Sequence, residues 1–245
     1  MSRLRVLVSG ASGGIGAAIV RRLCAEGHEV WASGTRHDAL QALALECGCR
    51  VLTVDIADAD AVQVAFAELP LDAWVHAAAR LGPAGALYEL RADEARELVE
   101  TNVLGTLNGL RSIVPGMVRR HCGHVLLIGS IAGVAAQAGP GLYSATKAAL
   151  HSLVESLRAD LYGTPLRVSE LLPGRVASGM HASLASATHS AHERFYQGYA
   201  CLTPEDMAEA VLFILTAPRW VDVTRMEVMP THQITGGSRF WKAAT

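Results

Sequence analysis

The sequence lacks the features that mark several large classes of protein. No run of apolar residues among its 245 positions reaches the ~18 that a membrane-spanning helix needs. An excess of charge is missing too, because 21 basic residues stand against 23 acidic ones and both kinds are dispersed along the chain. We therefore predict no membrane partner, and nothing in the charge pattern indicates a nucleic-acid partner.

Cysteine is sparse and unevenly placed. Cys24, Cys47, Cys49, Cys122 and Cys201 are an odd number at irregular spacings, which fits reduced thiols in the cytoplasm better than a disulfide framework. Cys47 and Cys49 have neither a second cysteine pair nor a histidine pair nearby, so no metal site is predicted. The first residues run directly into a strand-like segment, so we expect no signal peptide and a cytoplasmic location.

What the sequence does contain indicates an α/β protein. Hydrophobic residues make up 51% of the chain and there are 23 glycines, a composition that suits buried parallel strands. Short apolar segments alternate regularly with helical patterns, and no linker, repeat or low-complexity segment interrupts them. We predict a single domain over residues 1–245, folded as a doubly wound parallel sheet (a Rossmann fold) with helices on both faces.

A glycine-rich loop follows the first predicted strand, which ends at Ser9. Residues 10–16 read Gly-Ala-Ser-Gly-Gly-Ile-Gly, and the helical pattern after them ends near Gly27. Glycines let the backbone approach a pyrophosphate, and a helix N-terminus offers unpaired N–H groups and the positive end of its dipole. This order of strand, loop and helix predicts a dinucleotide-binding site, whereas the glycines alone would also fit a plain loop.

The residues after the second strand, Thr35 and Arg36, bear on which dinucleotide is bound. In this fold the strand end faces the adenine ribose, where an acidic residue accepts from a 2′-hydroxyl and an arginine accommodates a 2′-phosphate. Arg36 therefore favours NADP. The alternative is a solvated Arg36 at the start of the next helix, with NAD as cofactor. Asp55, at the next strand end, either faces the adenine or caps a turn. Residues 77–79, three alanines after the fourth strand, fit either a ligand's approach or tight packing.

Two polar residues lie at informative places in the middle of the chain. Asn102 has apolar neighbours in a long helical region, residues 91–120, and is either a satisfied structural amide or part of a polar relay. Pro115 is expected to kink or divide that helix. Ser130 follows the fifth strand, at the edge of an open α/β sheet where ligands bind.

Tyr143 and Lys147 are four residues apart in a helical segment, residues 143–162. That spacing puts both side chains on one face of the helix. An ammonium group close to a phenol favours the phenolate and lowers a pKa that is ordinarily about 10. The pair could therefore serve general acid–base catalysis. On spacing alone, a plain amphipathic helix is the simpler explanation.

Taken in order, these motifs resemble the short-chain dehydrogenase/reductase family over nearly the whole chain. The matching segments are residues 9–16, Asp55-Ile56, Asn102, Ser130, Tyr143-x-x-x-Lys147 and Pro173-Gly174-x-Val176. Residues 115–118, 202–206 and 227–233 carry a narrower resemblance to NADP-dependent 3-hydroxy acid (serine or allo-threonine) dehydrogenases. The resemblance implies an NADP(H)-dependent enzyme that reduces a small or medium aldehyde or ketone, reversibly, and forms a homodimer or homotetramer.

The resemblance also implies roles for individual residues. Tyr143 would be the general acid and base, and Ser130 would orient the carbonyl oxygen. Lys147 would bind the nicotinamide ribose and lower the pKa of Tyr143, and Asn102 would hold a water that links Lys147 to solvent. The residues expected to bind the cofactor are Gly10, Ser12, Gly13, Gly14, Ile15, Gly16, Thr35, Arg36, Asp55, Ile56, Ala77, Ala78, Tyr143, Lys147, Pro173, Gly174, Val176 and Ser178.

The chain departs from the family pattern at three places. Ser9 replaces the usual threonine and keeps a hydroxyl group. Gly13 stands where NADP-preferring members often carry a basic residue. The positive charge of Arg36 partly compensates for the missing one. The usual Asn-Asn-Ala-Gly segment after the fourth strand is His76-Ala77-Ala78-Ala79, which removes amides expected to steady the sheet and the cofactor.

The substrate would be set by residues 177–200, a weakly periodic segment predicted to be a mobile lid or a pair of short helices. Arg175 and the lid residues His181, His189 and His192 either bind an acidic substrate group or are solvent-exposed. From another functional class, the same fold could be a dinucleotide-sensing protein without turnover. The presence of all four candidate catalytic residues favours the enzyme.

Overall fold

A computed structural model describes residues 3–83, 85–136, 140–180 and 200–234, and the elements are numbered within those ranges. The strands are β1 Arg5–Ser9, β2 Glu29–Gly34, β3 Arg50–Thr53, β4 Ala73–His76, β5 His124–Ile128, β6 Arg167–Pro173 and β7 Arg225–Val228. The helices are α1 Gly14–Ala25, α2 His37–Cys47, α3 Ala59–Phe66, α4 Ala92–Val99, α5 Gly105–Arg119, α6 Ile131–Val134, α7 Gly141–Asp160 and α8 Pro204–Thr216. A π-helical turn, Glu100–Leu104, joins α4 to α5.

The strands form one parallel sheet in the order β3-β2-β1-β4-β5-β6-β7. The chain moves outward from β1 to β3 and then crosses to the other side of β1 for β4. Ligands of such sheets bind outside the carboxyl ends of the strands at this reversal. The predicted doubly wound parallel sheet is confirmed.

Alternating residues of the strands supply two separate apolar cores. Val6 and Val8 of β1 pack with residues of α1, α2 and α8 on one face of the sheet. Leu7, between them, packs on the other face with residues of α3, α5 and α7. Both faces are therefore covered, which explains why the strands read as apolar runs rather than as an alternation of apolar and polar residues.

The predicted division of the long helix at Pro115 is wrong, because α5 continues through Pro115. A proline inside a helix removes one backbone hydrogen bond. The core packing of Ile113 and Met117, on either side of it, holds the helix together. The irregularity lies earlier, at the π-helical turn, which contains the buried Asn102. Such turns occur frequently at functional sites.

The start of α8 is as its sequence predicts. Thr203 is the N-cap, Pro204 is the first helical residue, and Asp206 completes a capping box. The predicted lid, by contrast, falls mostly in residues 181–199, which with its three histidines lie outside the described residues. Among the described helices, none has both the length and the apolar character to cross a membrane.

Candidate active site

The candidate residues gather at the carboxyl edge of the sheet. The glycine loop follows β1, the alanines at 77–79 follow β4, Ser130 follows β5, and the segment around Gly174 follows β6. These four strands are neighbours in the sheet, so the loops meet beside the reversal of strand order. The order of the strands alone thus brings together, at this edge, motifs that are about 160 residues apart in sequence.

The glycine loop is packed closely against its own backbone and the end of β4. Gly10 has a φ of 80°, and a Cβ there would lie 2.4 Å from the nitrogen of Ala78. A Cβ at Gly16 would lie 2.2 Å from the carbonyl oxygen of Gly10. Both glycines are thus required by internal packing. Ala77 and Ala78 provide the surface on which Gly10 packs.

The N-terminus of α1 is suited to an anion. In the described part of the chain no side chain caps it, and its first turn contains no acidic residue. Its first N–H groups and the positive end of its dipole therefore point to where a pyrophosphate would lie. The backbone of Ser178 borders the same place, because a Cβ at Gly14 would lie 2.5 Å from the Ser178 carbonyl oxygen. The donor set fits a dinucleotide.

Arg36 is the N-cap residue of α2, and its side chain is directed toward the glycine loop. Its guanidinium group donates a hydrogen bond to the carbonyl oxygen of Ser12. Thr35 and Arg36 are both exposed, as a group that meets an adenosine phosphate must be. Asp55 uses its carboxylate to cap the following turn, accepting from the nitrogen of Ala57 at 2.9 Å. Ile56 is buried beneath that turn.

Ser130, Tyr143 and Lys147 come together between β5 and α7. Ser130 caps α6, its hydroxyl oxygen accepting from the nitrogen of Ala132 at 3.2 Å. A hydrogen bond from Ser130 lowers the pKa of Tyr143. The Lys147 ammonium group donates to the carbonyl oxygen of Ile128 at 2.8 Å and lies 5.9 Å from the centroid of the Tyr143 ring. The three side chains form one polar cluster.

The pKa of Tyr143 is raised, not lowered as the Tyr/Lys spacing suggested. Burial is the larger cause, and the hydrogen bond with Ser130 opposes it. The ammonium group of Lys147 donates a hydrogen bond to the carbonyl oxygen of Ile128 rather than to the phenol oxygen. Burial also lowers the pKa of Lys147, to about 8, against the opposing charge of Glu170. At neutral pH the phenol therefore holds its proton.

Asn102 is a satisfied structural amide. Its side-chain oxygen accepts from the backbone nitrogen of Arg80 at 2.8 Å, and its side-chain nitrogen donates to the Arg80 carbonyl oxygen at 2.9 Å. The same nitrogen donates to Thr146 at 3.0 Å, and Thr146 donates to the carbonyl oxygen of Tyr143 at 2.8 Å. Asn102 therefore ties the segment after β4 to the helical turn that carries Tyr143 and Lys147.

His76 occupies the place of the usual asparagine and makes hydrogen bonds through both ring nitrogens. Nδ1 pairs with the Ser9 hydroxyl at 2.8 Å, and Nε2 pairs with the Thr106 hydroxyl at 3.0 Å. Thr106 donates to the Asn102 carbonyl oxygen, so it accepts from His76; the Trp74 indole donates to Ser9, so Ser9 donates to His76. Burial lowers the pKa of His76 to about 3. A neutral His76 thus joins the sheet to the first turn of α5.

The residues after β6 are held in place by Gln233, which lies close to the end of the described chain. A Cβ at Gly174 would lie 2.7 Å from the side-chain oxygen of Gln233, which accepts from the nitrogen of Arg175 at 2.7 Å. Val176 is buried and pairs with Leu202. The Pro-Gly-x-Val segment is therefore fixed in place at the edge of the site.

Sequence reasoning missed two residues of this region, Glu170 and His151. Glu170 lies in β6 with none of its surface exposed, and its carboxylate pairs with His151 Nδ1 at 2.6 Å. The available signal was a carboxylate in the middle of a predicted buried strand, since a buried charge needs a partner. His151 follows Lys147 by four residues, so the helical face that carries Tyr143 and Lys147 extends to it.

Known proteins share this fold and sequence pattern. Residues 5–189 match the short chain dehydrogenase family. The chain is 36% identical over 240 residues to an NADP-dependent 3-hydroxy acid dehydrogenase of Salmonella typhi, covering 95% of this chain and 97% of that protein. It is 33% identical over 239 residues to a sulfoacetaldehyde reductase of Chromohalobacter salexigens, covering 93% and 94%. It superposes on the closed form of a serine dehydrogenase complexed with NADP+ with a TM-score of 0.89, at 33% identity, over 98% of this chain and 100% of that one.

Proposed function

The chain belongs to the short-chain dehydrogenase/reductase family of oxidoreductases, and on that premise we propose that it reduces a small or medium aldehyde or ketone to an alcohol, reversibly, with NADPH. One observation carries the proposal: Ser130, Tyr143 and Lys147 meet in a polar cluster at the sheet edge where the uncapped N-terminus of α1 also lies. An acid, a hydrogen-bonding group and a dinucleotide cradle at one edge fit carbonyl reduction.

NADP rather than NAD is supported by Arg36 and by the relatives. The guanidinium group of Arg36 lies against the glycine loop, bonded to the Ser12 carbonyl oxygen, where the 2′-phosphate of NADP would add a stronger, charged acceptor. The 3-hydroxy acid dehydrogenase relative is NADP-dependent, and the serine dehydrogenase was solved with NADP+. We propose the same cofactor for this chain.

In the proposed reaction, the bound cofactor supplies or accepts the hydride, and the protein's side chains manage the proton. Tyr143, a neutral phenol at physiological pH whose pKa burial raises further, donates its proton to the carbonyl oxygen as that oxygen becomes negative. Ser130 holds the same oxygen by a hydrogen bond. Lys147 would use its remaining N–H groups to hold the nicotinamide ribose, leaving its positive charge beside Tyr143.

Asn102 enters the proposal as a positioning group. Its side-chain amide makes hydrogen bonds with Arg80 and Thr146, and its backbone carbonyl oxygen accepts from the Thr106 hydroxyl. A water held between Lys147 and solvent, which the family resemblance implies, would have to use the second lone pair of an oxygen of Asn102. We propose that Asn102 supports catalysis mainly by holding the Tyr143 turn.

The substrate class is narrowed by what the relatives act on. Their names specify 3-hydroxy acids, serine and sulfoacetaldehyde, small molecules that each carry an acid group. Arg175, directly after Gly174, lies at the same edge of the sheet as Ser130. We propose a small carbonyl compound with a carboxylate or sulfonate group as the preferred substrate.

The proposal is tested by measuring the oxidation of NADPH and NADH with a panel of short aldehydes and ketones, half of them carrying a carboxylate or sulfonate group. We expect turnover with NADPH and faster turnover with the acid-bearing half. Tight NADPH binding without turnover of any compound would instead support a dinucleotide sensor. Equal rates for acidic and neutral compounds would contradict the narrower substrate class alone.

We also propose that the protein is a homo-oligomer. Large apolar side chains are exposed at several places on the surface, among them Tyr88, Tyr162, Phe213 and Trp220. Exposed apolar surface of this kind is a common feature of subunit contacts. Light scattering coupled to size exclusion tests this, and a mass near the 25.9 kDa of one chain would contradict it.

A further inference from the structure

Glu170 is a buried carboxylate in a strand that is otherwise suited to an apolar core. It pairs with Leu127 in the register of β5 and β6, and none of its surface is exposed. A carboxylate removed from water is costly unless opposite charge and hydrogen bonds compensate for the lost hydration. The groups around Glu170 therefore indicate what the charge is for.

One carboxylate oxygen of Glu170 has a clear partner and the other does not. Oε2 accepts from His151 Nδ1 at 2.6 Å. Within the described ranges Oε1 is buried and has no hydrogen-bond partner. Oε1 lies against Gly129, where a Cβ would be only 2.5 Å from it. Gly129 thus leaves room for a carboxylate oxygen directly beside the end of β5.

The same peptide group is approached by Lys147. Its ammonium group donates to the carbonyl oxygen of Ile128, the residue before Gly129, at 2.8 Å. Lys147 is 5% exposed, so its charge is nearly as buried as that of Glu170. The ammonium group and the unpaired Oε1 accordingly flank the peptide between Ile128 and Gly129, one step before Ser130.

The other titratable groups around this pair are few. On α7, Tyr143 faces Lys147 and His151 faces Glu170. From β7, the Arg225 guanidinium lies 3.5 Å from His151 Nε2 and lowers the pKa of Glu170. From β4, His76 is held neutral by burial, so it offers no charge to Lys147. Glu170 is the carboxylate whose charge acts on Lys147.

We propose that Glu170 is a positioning residue of the reaction proposed above, serving as the buried counter-ion of Lys147 while His151 anchors its carboxylate. The proposal rests on the proposed function only in giving Lys147 its task beside Tyr143 and the cofactor. Burial alone drives Lys147 toward its neutral form, which could not hold a positive charge beside a phenol. The carboxylate across the Ile128–Gly129 peptide opposes that loss, and its pairing with His151 favours its ionised form.

The reciprocal effects of the two charges agree with the geometry. The Glu170 charge raises the pKa of Lys147, which burial has lowered to about 8. The Lys147 charge, with His151 and Arg225, lowers the pKa of Glu170, which burial has raised. An opposite charge nearby favours the charged form of each group. Lys147 consequently keeps its proton at neutral pH by a narrow margin.

The sequence permits a direct measurement, because it contains only two lysines, Lys147 and Lys242. In a Lys242→Arg background, protein grown with lysine labelled by ¹³C at Cε gives a single lysine signal, whose shift with pH reports the titration of Lys147. We expect a midpoint near pH 8. Adding Glu170→Gln should lower that midpoint by roughly one pH unit, the loss of one nearby opposite charge.

Two further variants separate a charge effect from a packing effect. Glu170→Asp keeps the charge and should restore most of the midpoint. Glu155→Gln removes a carboxylate from an exposed position of α7 and should leave the midpoint unchanged. A midpoint in Glu170→Gln equal to that of the parent protein would overturn the proposal.

Should Glu170→Gln not fold, the parent protein still decides. Its Lys147 signal should show a second inflection at lower pH as Glu170 takes up a proton, and a single inflection would overturn the assignment.

Binding of NADPH, followed by its fluorescence from pH 6.5 to 9.5, separates this inference from the proposed function. Failure of the parent protein to bind NADPH at any pH would reject the function while leaving the lysine titration to decide the counter-ion. Where the parent binds, affinity should fall above its Lys147 midpoint. In Glu170→Gln the fall should begin at a lower pH, and coincident binding curves would reject the counter-ion role alone.

Discussion

The ammonium nitrogen of Lys147 lies 5.9 Å from the centroid of the Tyr143 ring and donates its hydrogen bond to Ile128 instead of to the phenol. The positive charge is therefore near the ring without being bonded to the hydroxyl group. Burial dominates and raises the pKa of Tyr143, so the neutral phenol prevails at physiological pH. The phenol therefore carries the proton that carbonyl reduction requires.

Replacing Tyr143 with phenylalanine should remove turnover while sparing cofactor binding. The substitution deletes one hydroxyl group, and loss of a general acid typically lowers kcat about 100- to 10,000-fold. NADPH affinity should change less than about threefold, because the groups at the N-terminus of α1 are untouched. The two quantities are measured by NADPH oxidation and by fluorescence titration.

The matched control for that variant is Tyr162→Phe, because Tyr162 is 94% exposed beyond the end of α7. It should behave as the unmodified protein in both measurements. If Tyr143→Phe retained more than about a tenth of the original kcat, another group would have to supply the proton, and the acid role of Tyr143 would be wrong.

Arg36→Ala should weaken NADPH much more than NADH. Only NADPH carries the 2′-phosphate, and a charge-assisted hydrogen bond of ~1.5–3 kcal/mol corresponds to a loss of about ten- to a hundredfold in affinity. Isothermal titration with each cofactor gives the two dissociation constants. Arg21→Ala is the control, since Arg21 is exposed on α1 and paired with Glu46. Equal losses of the two cofactors on replacing Arg36 would contradict a phosphate contact.

Much of this architecture follows from local sequence signals. The parallel sheet and the family resemblance, both confirmed, depend on apolar runs and on glycine or small residues at strand ends, which are local signals. The predicted division of the helix at Pro115 was wrong for the opposite reason. The packing of α5 into the core outweighed a local rule about proline. The sequence on either side of Pro115 carries no information about that packing.

The polar interior of the site could not be predicted in the same way. His76 meets Ser9 across 67 positions, and Asn102 meets Thr146 across 44. These partners are set by the order of strands in the sheet and by the packing of the π-helical turn against α7, so no periodicity along the chain reports them. Glu170 shows the limit most clearly, because its sequence signal reveals a buried charge without revealing that Lys147 faces it.

Thr146→Val should destabilise the fold because it removes a hydroxyl group that is used twice. Thr146 accepts from the Asn102 amide and donates to the Tyr143 carbonyl oxygen, in the turn of α7 that carries Tyr143 and Lys147. Valine has nearly the same shape, so the cost is that of an unpaired buried amide donor, about 1–3 kcal/mol. Urea unfolding at pH 7 measures this loss of unfolding free energy.

The control is Ser152→Ala, at an exposed position of the same helix, which should change stability by less than ~0.5 kcal/mol. A similar small effect of Thr146→Val would show that Asn102 is satisfied without it.

Stability should fall as the pH is lowered from 7 to 5, because buried histidines, among them His76 and His124, exclude their protons. Burial lowers the pKa values of His76 and His124 to about 3, whereas an unfolded histidine titrates near its ordinary value of about 6.5. Below pH 6.5 the unfolded chain therefore binds protons that the folded chain does not, and each histidine should cost ~2 kcal/mol of unfolding free energy by pH 5. Urea unfolding at both pH values gives the difference. His76→Asn, which restores the usual family residue, should remove ~2 kcal/mol of this pH dependence by deleting one of these groups. His121→Asn, at an exposed site, should leave it unchanged. An undiminished pH dependence in His76→Asn would mean that His76 takes up its proton in the folded protein, and the neutral ring that joins Ser9 to Thr106 would have to be given up.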